Sequence, residues 1–124
     1  MTRQQLLAYI SDRFSVREEY PWDDENCICR HPGNRKWFAV LMRVTYDKLG
    51  IPREGTADAV NFKCSPLLMG AYRPQPGILP GYHMNKEHWL TVLLDGTAED
   101  DLVKELLEIS FDLTNNRRTA PKDK

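Results

Sequence analysis

Leu6, Leu7, Ile10 and Phe14 recur at the three-to-four-residue spacing of a helix, and Thr2 followed three residues on by Gln5 is a capping-box pattern. Together they predict an amphipathic helix over residues 3–14, ended at Ser15. Leu102, Val103, Leu106, Leu107, Ser110 and Leu113 repeat that periodicity near the other end of the chain. Thr97 and Asp100 stand before them like a capping box with Asp in place of Glu, so a long C-terminal helix with one buried stripe is expected.

Between these helices the pattern turns to alternation and short apolar runs. Residues 27–30, 36–44, 59–64 and 88–94 read as strands. Pro32-Gly33-Asn34 makes a hairpin turn between the first two, and Gly50, Pro52 and Gly55 mark residues 47–58 as a second hairpin connection. Ser65 can cap a short helix over residues 66–72, with Pro66 at the first helical position, where its missing N–H costs nothing. Pro74, Pro76, Pro80 and Gly81 predict an irregular loop. Glu18, Glu19, Asp23, Asp24 and Glu25 surround Tyr20-Pro21-Trp22, which suggests an extended segment and an acidic turn.

A helix, several hairpin-linked strands and a closing helix imply an α+β single-domain sandwich. Its antiparallel sheet should carry the N- and C-terminal helices packed on one face, leaving the other face or the hairpin tips for function. The domain is expected over residues 1–118, with 119–124 a disordered tail.

Apolar residues make up 41% of the 124 and charged residues 28%, enough for a core without disulfide or metal staples. No apolar run is long enough to span a bilayer, and Thr2, Arg3, Gln4 and Gln5 do not open a signal-peptide core. A cytoplasmic monomer with reduced thiols is expected, since three cysteines is an odd number. The net charge of −1 argues against a strong non-specific nucleic-acid binder, but its distribution is uneven. Residues 27–88 hold nine Lys/Arg against four Asp/Glu, whereas residues 1–26 and 89–124 each balance at −3.

The basic middle contains the densest chemistry. Gly81-Tyr82-His83-Met84-Asn85-Lys86-Glu87-His88-Trp89 brings imidazoles, an amide, an ammonium and amphipathic aromatics into nine residues. Such groups offer hydrogen-bond donors beside flat apolar faces, the chemistry of a binding surface. Arg30, His31, Arg35, Lys36 and Trp37 gather on the first hairpin, and Lys63 lies on a strand. Cations neutralise phosphates and amides read base edges, so the expected DNA-binding residues are Arg30, His31, Arg35, Lys36, Lys63, Tyr82, His83, Asn85, Lys86 and His88. The competing reading makes Trp37 and Trp89 sheet-packing residues and the charges a solvated face.

Four segments in order along nearly the whole chain resemble the MmcQ/YjbR family of small bacterial proteins. They are Tyr20-Pro21-Trp22, Arg30-His31-Pro32 through Lys36-Trp37-Phe38-Ala39, Val60-Asn61-Phe62-Lys63-Cys64 with Pro66, and Pro80 through Lys86 with His88-Trp89. The resemblance implies a frataxin-like fold and non-catalytic binding of duplex DNA through a "double wing" surface. The alternative is a protein-interaction or small-ligand binding module with no nucleic-acid role. The chain departs from the family pattern at residues 65–72, which are apolar and contain Gly70.

Cys27, Cys29 and His31 alternate on one strand face, and Cys64 would complete four ligands. Their spacing is not that of a zinc knuckle, so no metal or other cofactor is expected. The acidic residues 18–25 read as a solvated turn. His83, His88, Lys63 and Cys64 could supply an acid, a base and a nucleophile, but no His stands beside a Cys with an orienting carboxylate, and no glycine-rich phosphate loop occurs. Enzymatic activity is therefore not expected.

Overall fold

The computed structural model describes residues 1–115. The expected tail at 119–124, the end of the domain at 118, and Arg117 and Arg118, which suit a helix C-terminus, lie outside the described residues. Helix α1 (Arg3–Phe14) leads into strands β1 (Cys27–Arg30) and β2 (Trp37–Thr45), a 3-10 turn (Asp47–Leu49), and β3 (Thr56–Lys63). A second 3-10 turn (Pro66–Leu68) runs into the short α2 (Met69–Tyr72), followed by β4 (Ile78–Pro80), β5 (Trp89–Leu93) and α3 (Asp100–Leu113). The five strands form one antiparallel sheet in the order β1-β2-β3-β5-β4.

Helix α1 starts as its cap residues require. Thr2 Oγ1 accepts from the Gln5 amide at 3.1 Å, Gln5 Oε1 accepts from the Thr2 amide at 2.8 Å, and Ser15 closes the helix in a left-handed conformation. Helix α3 starts differently from expectation. Its N-cap is Glu99, two residues past Thr97, and makes no side-chain cap, while Thr97 belongs to the preceding turn, where its hydroxyl donates to Asp95 Oδ1 at 2.5 Å. Its stripe buries Val103, Leu106, Leu107 and Ser110, whereas Leu113 stays 37% exposed at the helix end.

Both long helices cover the same sheet face. Leu6 and Ile10 of α1 and Val103, Leu106 and Leu107 of α3 share one core with Leu41, Val60, Phe62, Leu90 and Val92. Period-2 alternation sends Val40, Met42, Val44, Ala59, Asn61 and Thr91 to the opposite face, which carries no α-helix among the described residues. A bulge sets the edge: Cys29 pairs with Ala39 but Arg30 pairs with Trp37, so Phe38 is the extra residue and it enters the core beside Ala39. Ser110 then ties α3 to this irregularity, its hydroxyl donating to the Phe38 carbonyl at 2.6 Å and accepting from the Lys63 amide at 2.8 Å.

The boundaries differ from expectation in informative places. Ser65 caps as anticipated, accepting from the Leu67 amide at 3.2 Å. The proline-rich stretch is not wholly irregular, because residues 78–80 pair with β5 as an edge strand, where Pro80 need not donate. Strand β3 begins at Thr56 rather than 59, since pairing with β2 continues to Thr45. Residues 16–26 are extended in part, with Glu19 bridging to Ile28 at 2.8 and 2.9 Å on the outer edge of β1.

Candidate functional site

The Gly81-to-Trp89 loop crosses the open sheet face and is locked there by side chains that local sequence cannot assign. Asn61 and Thr91 are buried neighbours across β3 and β5. The Thr91 hydroxyl donates to Asn61 Oδ1 at 2.5 Å and accepts from the Tyr82 amide at 2.8 Å, while Asn61 Nδ2 donates to the Tyr82 carbonyl at 2.9 Å. The pair thus treats the Tyr82 peptide as a third strand would, satisfying both of its polar groups. Gly81 lies so close to Trp89 that a Cβ there would sit 2.9 Å from the Trp89 Cβ and carbonyl oxygen. Lys86 Nζ donates back to the Gly81 carbonyl at 2.9 Å, and Arg73 donates to the Lys86 carbonyl. Much of the loop's polar content therefore builds the loop.

With Tyr82 clamped, its ring packs against Met42, Val44 and Ala59, and the ring of His83, held at φ 58°, lies tilted at 42° against it with ring centres 4.1 Å apart. Across the sheet, Trp22 meets Trp37 edge-to-face at 5.8 Å. Between these aromatic pairs lies an open groove of about 590 Å³, floored by Val40 and Met42. A second depression of about 500 Å³ adjoins it and shares Lys48, Tyr82 and His83, adding Lys86.

The register brings most of the expected basic residues to one end of the sheet. The β1–β2 turn, the C-terminal end of β3 and the start of β5 coincide there, with Lys63 opposite Trp89 and the Cys64 amide bonded to the His88 carbonyl at 2.8 Å. Lys63 Nζ stands 5.7 Å from the centre of the Trp89 ring. Arg35, Lys36, His83, Asn85 and Lys86 are exposed, and Lys63, Tyr82 and His88 half-buried. Asn85 Oδ1 caps the loop's last turn through the Glu87 amide at 2.8 Å.

Two expected contact residues are used otherwise. His31 is buried, its ring 4.3 Å from Phe111 and 5.1 Å from Phe38, with Nε2 2.8 Å from Thr114 Oγ1. Thr114 has one hydroxyl proton and donates it to the Ser110 carbonyl, 2.7 Å from Oγ1, which leaves His31 Nε2 as the donor. His31 is thus an anchor between the first turn and α3, assisted by Asn34 Nδ2 donating to the Thr114 carbonyl at 2.8 Å, and it presents no ring to a ligand. Arg30 makes a bidentate pair with Glu19, at 2.6 and 2.9 Å, so its charge is already matched. Sequence reasoning missed Trp22, Met42 and Lys48 as groove residues. Trp22 carried a signal, being a tryptophan in an otherwise acidic stretch, and it is 46% exposed.

The thiols face the helices and not the groove. All three are free and buried, and burial pushes Cys29 up to about 12 and raises Cys27 and Cys64 as well. Among the described residues no group of three or more His, Cys, Asp or Glu is placed to hold a metal ion. No helix among them is long and apolar enough to cross a membrane.

The YjbR family model matches residues 14–113, a span that takes in the bulge, the Asn61–Thr91 clamp and the whole loop. The chain belongs to the YjbR family. Its YjbR relatives include YyaQ of Bacillus subtilis, 35% identical over 92% of this chain and 98% of that protein. YjbR of Escherichia coli K12 is 41% identical over a shorter stretch, 43% of this chain and 46% of its own. A Pseudomonas syringae protein solved by crystallography superposes with a TM-score of 0.89 at 40% identity, over 93% of this chain and all of that one. A Deinococcus radiodurans protein with a DUF419 domain superposes at 0.66 with 29% identity, over 98% of this chain and 84% of that one.

Proposed function

We propose that this YjbR-family protein binds DNA without acting on it chemically, as a cytoplasmic monomer of frataxin-like architecture. The observation that carries the reading is the separation of charge across the sheet. Helix α3, with Glu99, Asp100, Asp101, Glu105, Glu108 and Asp112 at or within it, packs on one face. Arg35, Lys63 and Lys86 belong to the first turn, the end of β3 and the loop that crosses the other face. Phosphates can approach that second surface without meeting the acidic helix, and the aromatic groove beside it offers contacts beyond charge.

Phosphate-driven binding releases counterions, so affinity must fall steeply with salt. Arg35→Gln with Lys63→Gln removes two cations but no backbone anchor, and it should lower the magnitude of the log-affinity against log-salt slope by about 1.8 on duplex or about 1.4 on a single strand. Fluorescence anisotropy on labelled DNA, offered both as duplex and as single strand from low to moderate salt, measures this. No salt-dependent binding of either form, or an unchanged slope in the folded double variant, refutes the proposal. A protein or small-ligand module would then be the better reading.

A further inference from the structure

Resting on that proposal, we infer that the DNA recognised is single-stranded, with its unpaired bases laid into the groove between Trp22–Trp37 and Tyr82–His83. The groove is not symmetrical. On its β1 side stands Glu25, next in sequence to the exposed Asp23 and Asp24. On its loop side, the shared Lys48 leads into the adjoining depression that Lys86 also lines. Arg43 also lines the groove, next to Asn26, but Asp58 Oδ1 stands 3.7 Å from its guanidinium and offsets its charge. The loop margin therefore attracts phosphates more strongly than the margin of Asp23, Asp24 and Glu25.

A duplex carries phosphate on both sides of whichever groove it presents, and it keeps the flat faces of its bases stacked inside. Lying over this surface it would bring one strand against Asp23, Asp24 and Glu25 while the aromatic rings met no base. A single strand has one backbone and exposed bases. Its phosphates can follow Lys48 and Lys86, and its bases then point across the apolar floor of Val40 and Met42 towards the indoles. Stacking on such rings tolerates any base, because every base has a π face. The backbone hydrogen bonds that fix Tyr82 and the positive φ of His83 preform one wall.

The test compares a twelve-nucleotide oligothymidylate, the same length as duplex, and thymidine monophosphate, by anisotropy and by quenching of tryptophan fluorescence. The single strand should bind at least about tenfold more tightly than the duplex at equal salt. Trp22→Ala should weaken it by roughly tenfold, as expected for the loss of one stacked base, and leave duplex binding unchanged. His83→Asn, which keeps a residue tolerant of positive φ, should weaken it in the same way. Lys48→Gln should lower the salt slope by about 0.7, the single-strand value per phosphate. Equal or tighter duplex binding overturns the inference and leaves DNA binding standing. So does single-strand affinity held within twofold in both aromatic variants, and mononucleotide binding as tight as the strand's would make the groove a small-molecule site. If neither form of DNA binds, both readings fall.

Discussion

Asn61 and Thr91 show how a residue type that suits base recognition is used instead to place a loop. Both are buried, and between them they satisfy the Tyr82 amide and carbonyl. Thr91→Val keeps the shape but strands the Tyr82 amide, and Asn61→Ala strands the Tyr82 carbonyl. Each should cost about 2 kcal/mol, within the range for a buried polar group left unpaired, as read from urea denaturation midpoints. The same variants should lose protection of the Tyr82 amide in hydrogen exchange. The thiols give a second expectation at this scale. Cys29 is pushed from 9.0 up to about 12 by burial, so its folded value lies above its unfolded one. Below pH 9 both states hold the proton and nothing changes. Between pH 9 and about 12 only the unfolded chain releases it, so stability should fall as pH rises, by about 1.4 kcal/mol per pH unit from this group. Cys29→Ala should flatten that alkaline limb in pH-dependent denaturation, and an unchanged limb would assign the loss to other groups.

Helix α3, unlike α1, starts without a side-chain cap. Its N-cap, Glu99, already has the extended conformation a capping residue needs, at φ −68° and ψ 146°, but contributes no side-chain bond. Glutamate is one methylene too long to reach back efficiently, whereas Ser or Asp fits. Glu99→Ser should therefore stabilise the protein by about 0.5–1 kcal/mol, visible as a rise in Tm, without altering the groove on the other face. The opposite end of the helix is better secured. Thr114 bonds to Ser110, His31 and, through its carbonyl, Asn34, so the first turn is held by α3 and not only by its own hairpin geometry. That fastening keeps the exposed Arg35 at a defined place beside the end of β3.

For the whole molecule, the net charge of −1 describes the interaction surface poorly. Acidic side chains are concentrated on α3 and in residues 18–25, and cations on the turn, the end of β3 and the loop side of the groove. If the sheet separates the field of α3 from these cations as proposed, neutralising acids on α3 should matter little to DNA. Glu99→Gln with Asp101→Asn, at the end of α3 opposite the one that holds the first turn, adds two units of positive charge, and the salt slope should stay within about half a unit of wild type, because screened charges beyond about 10 Å contribute little at 0.1 M salt. A slope steepened by two would place phosphates on α3 and remove the basis of the proposed face.

Periodicity alone was sufficient for α1, for the buried stripe of α3, for the strand pattern and for both helices sharing a sheet face, because each depends on side-chain spacing within a few residues. The family was legible too, since Tyr20-Pro21-Trp22 and the loop motif survive as contiguous segments. Strand β4 was hidden by Pro80, whose tolerance at a sheet edge depends on where the strand lies in the sheet, and by Pro74 and Pro76 before it. The capping box at Thr97 does not form because the helix begins later, at Asp100, after a turn in which Asp95 Oδ1 accepts from both the amide and the hydroxyl of Thr97. Basic and aromatic residues in the middle of the chain could be seen, but not which of them face outwards. His31, expected to bind DNA, and Asn61, seen in sequence only within a family segment, prove to be internal fastenings once Thr114 and Tyr82, 83 and 21 residues away, are brought against them. Trp22, visible in sequence as part of a family segment but not as a groove residue, and Lys48, not singled out there, border the groove for the same reason: a surface is assembled from distant segments, and only the register of β1, β2, β3 and β5 decides which segments meet.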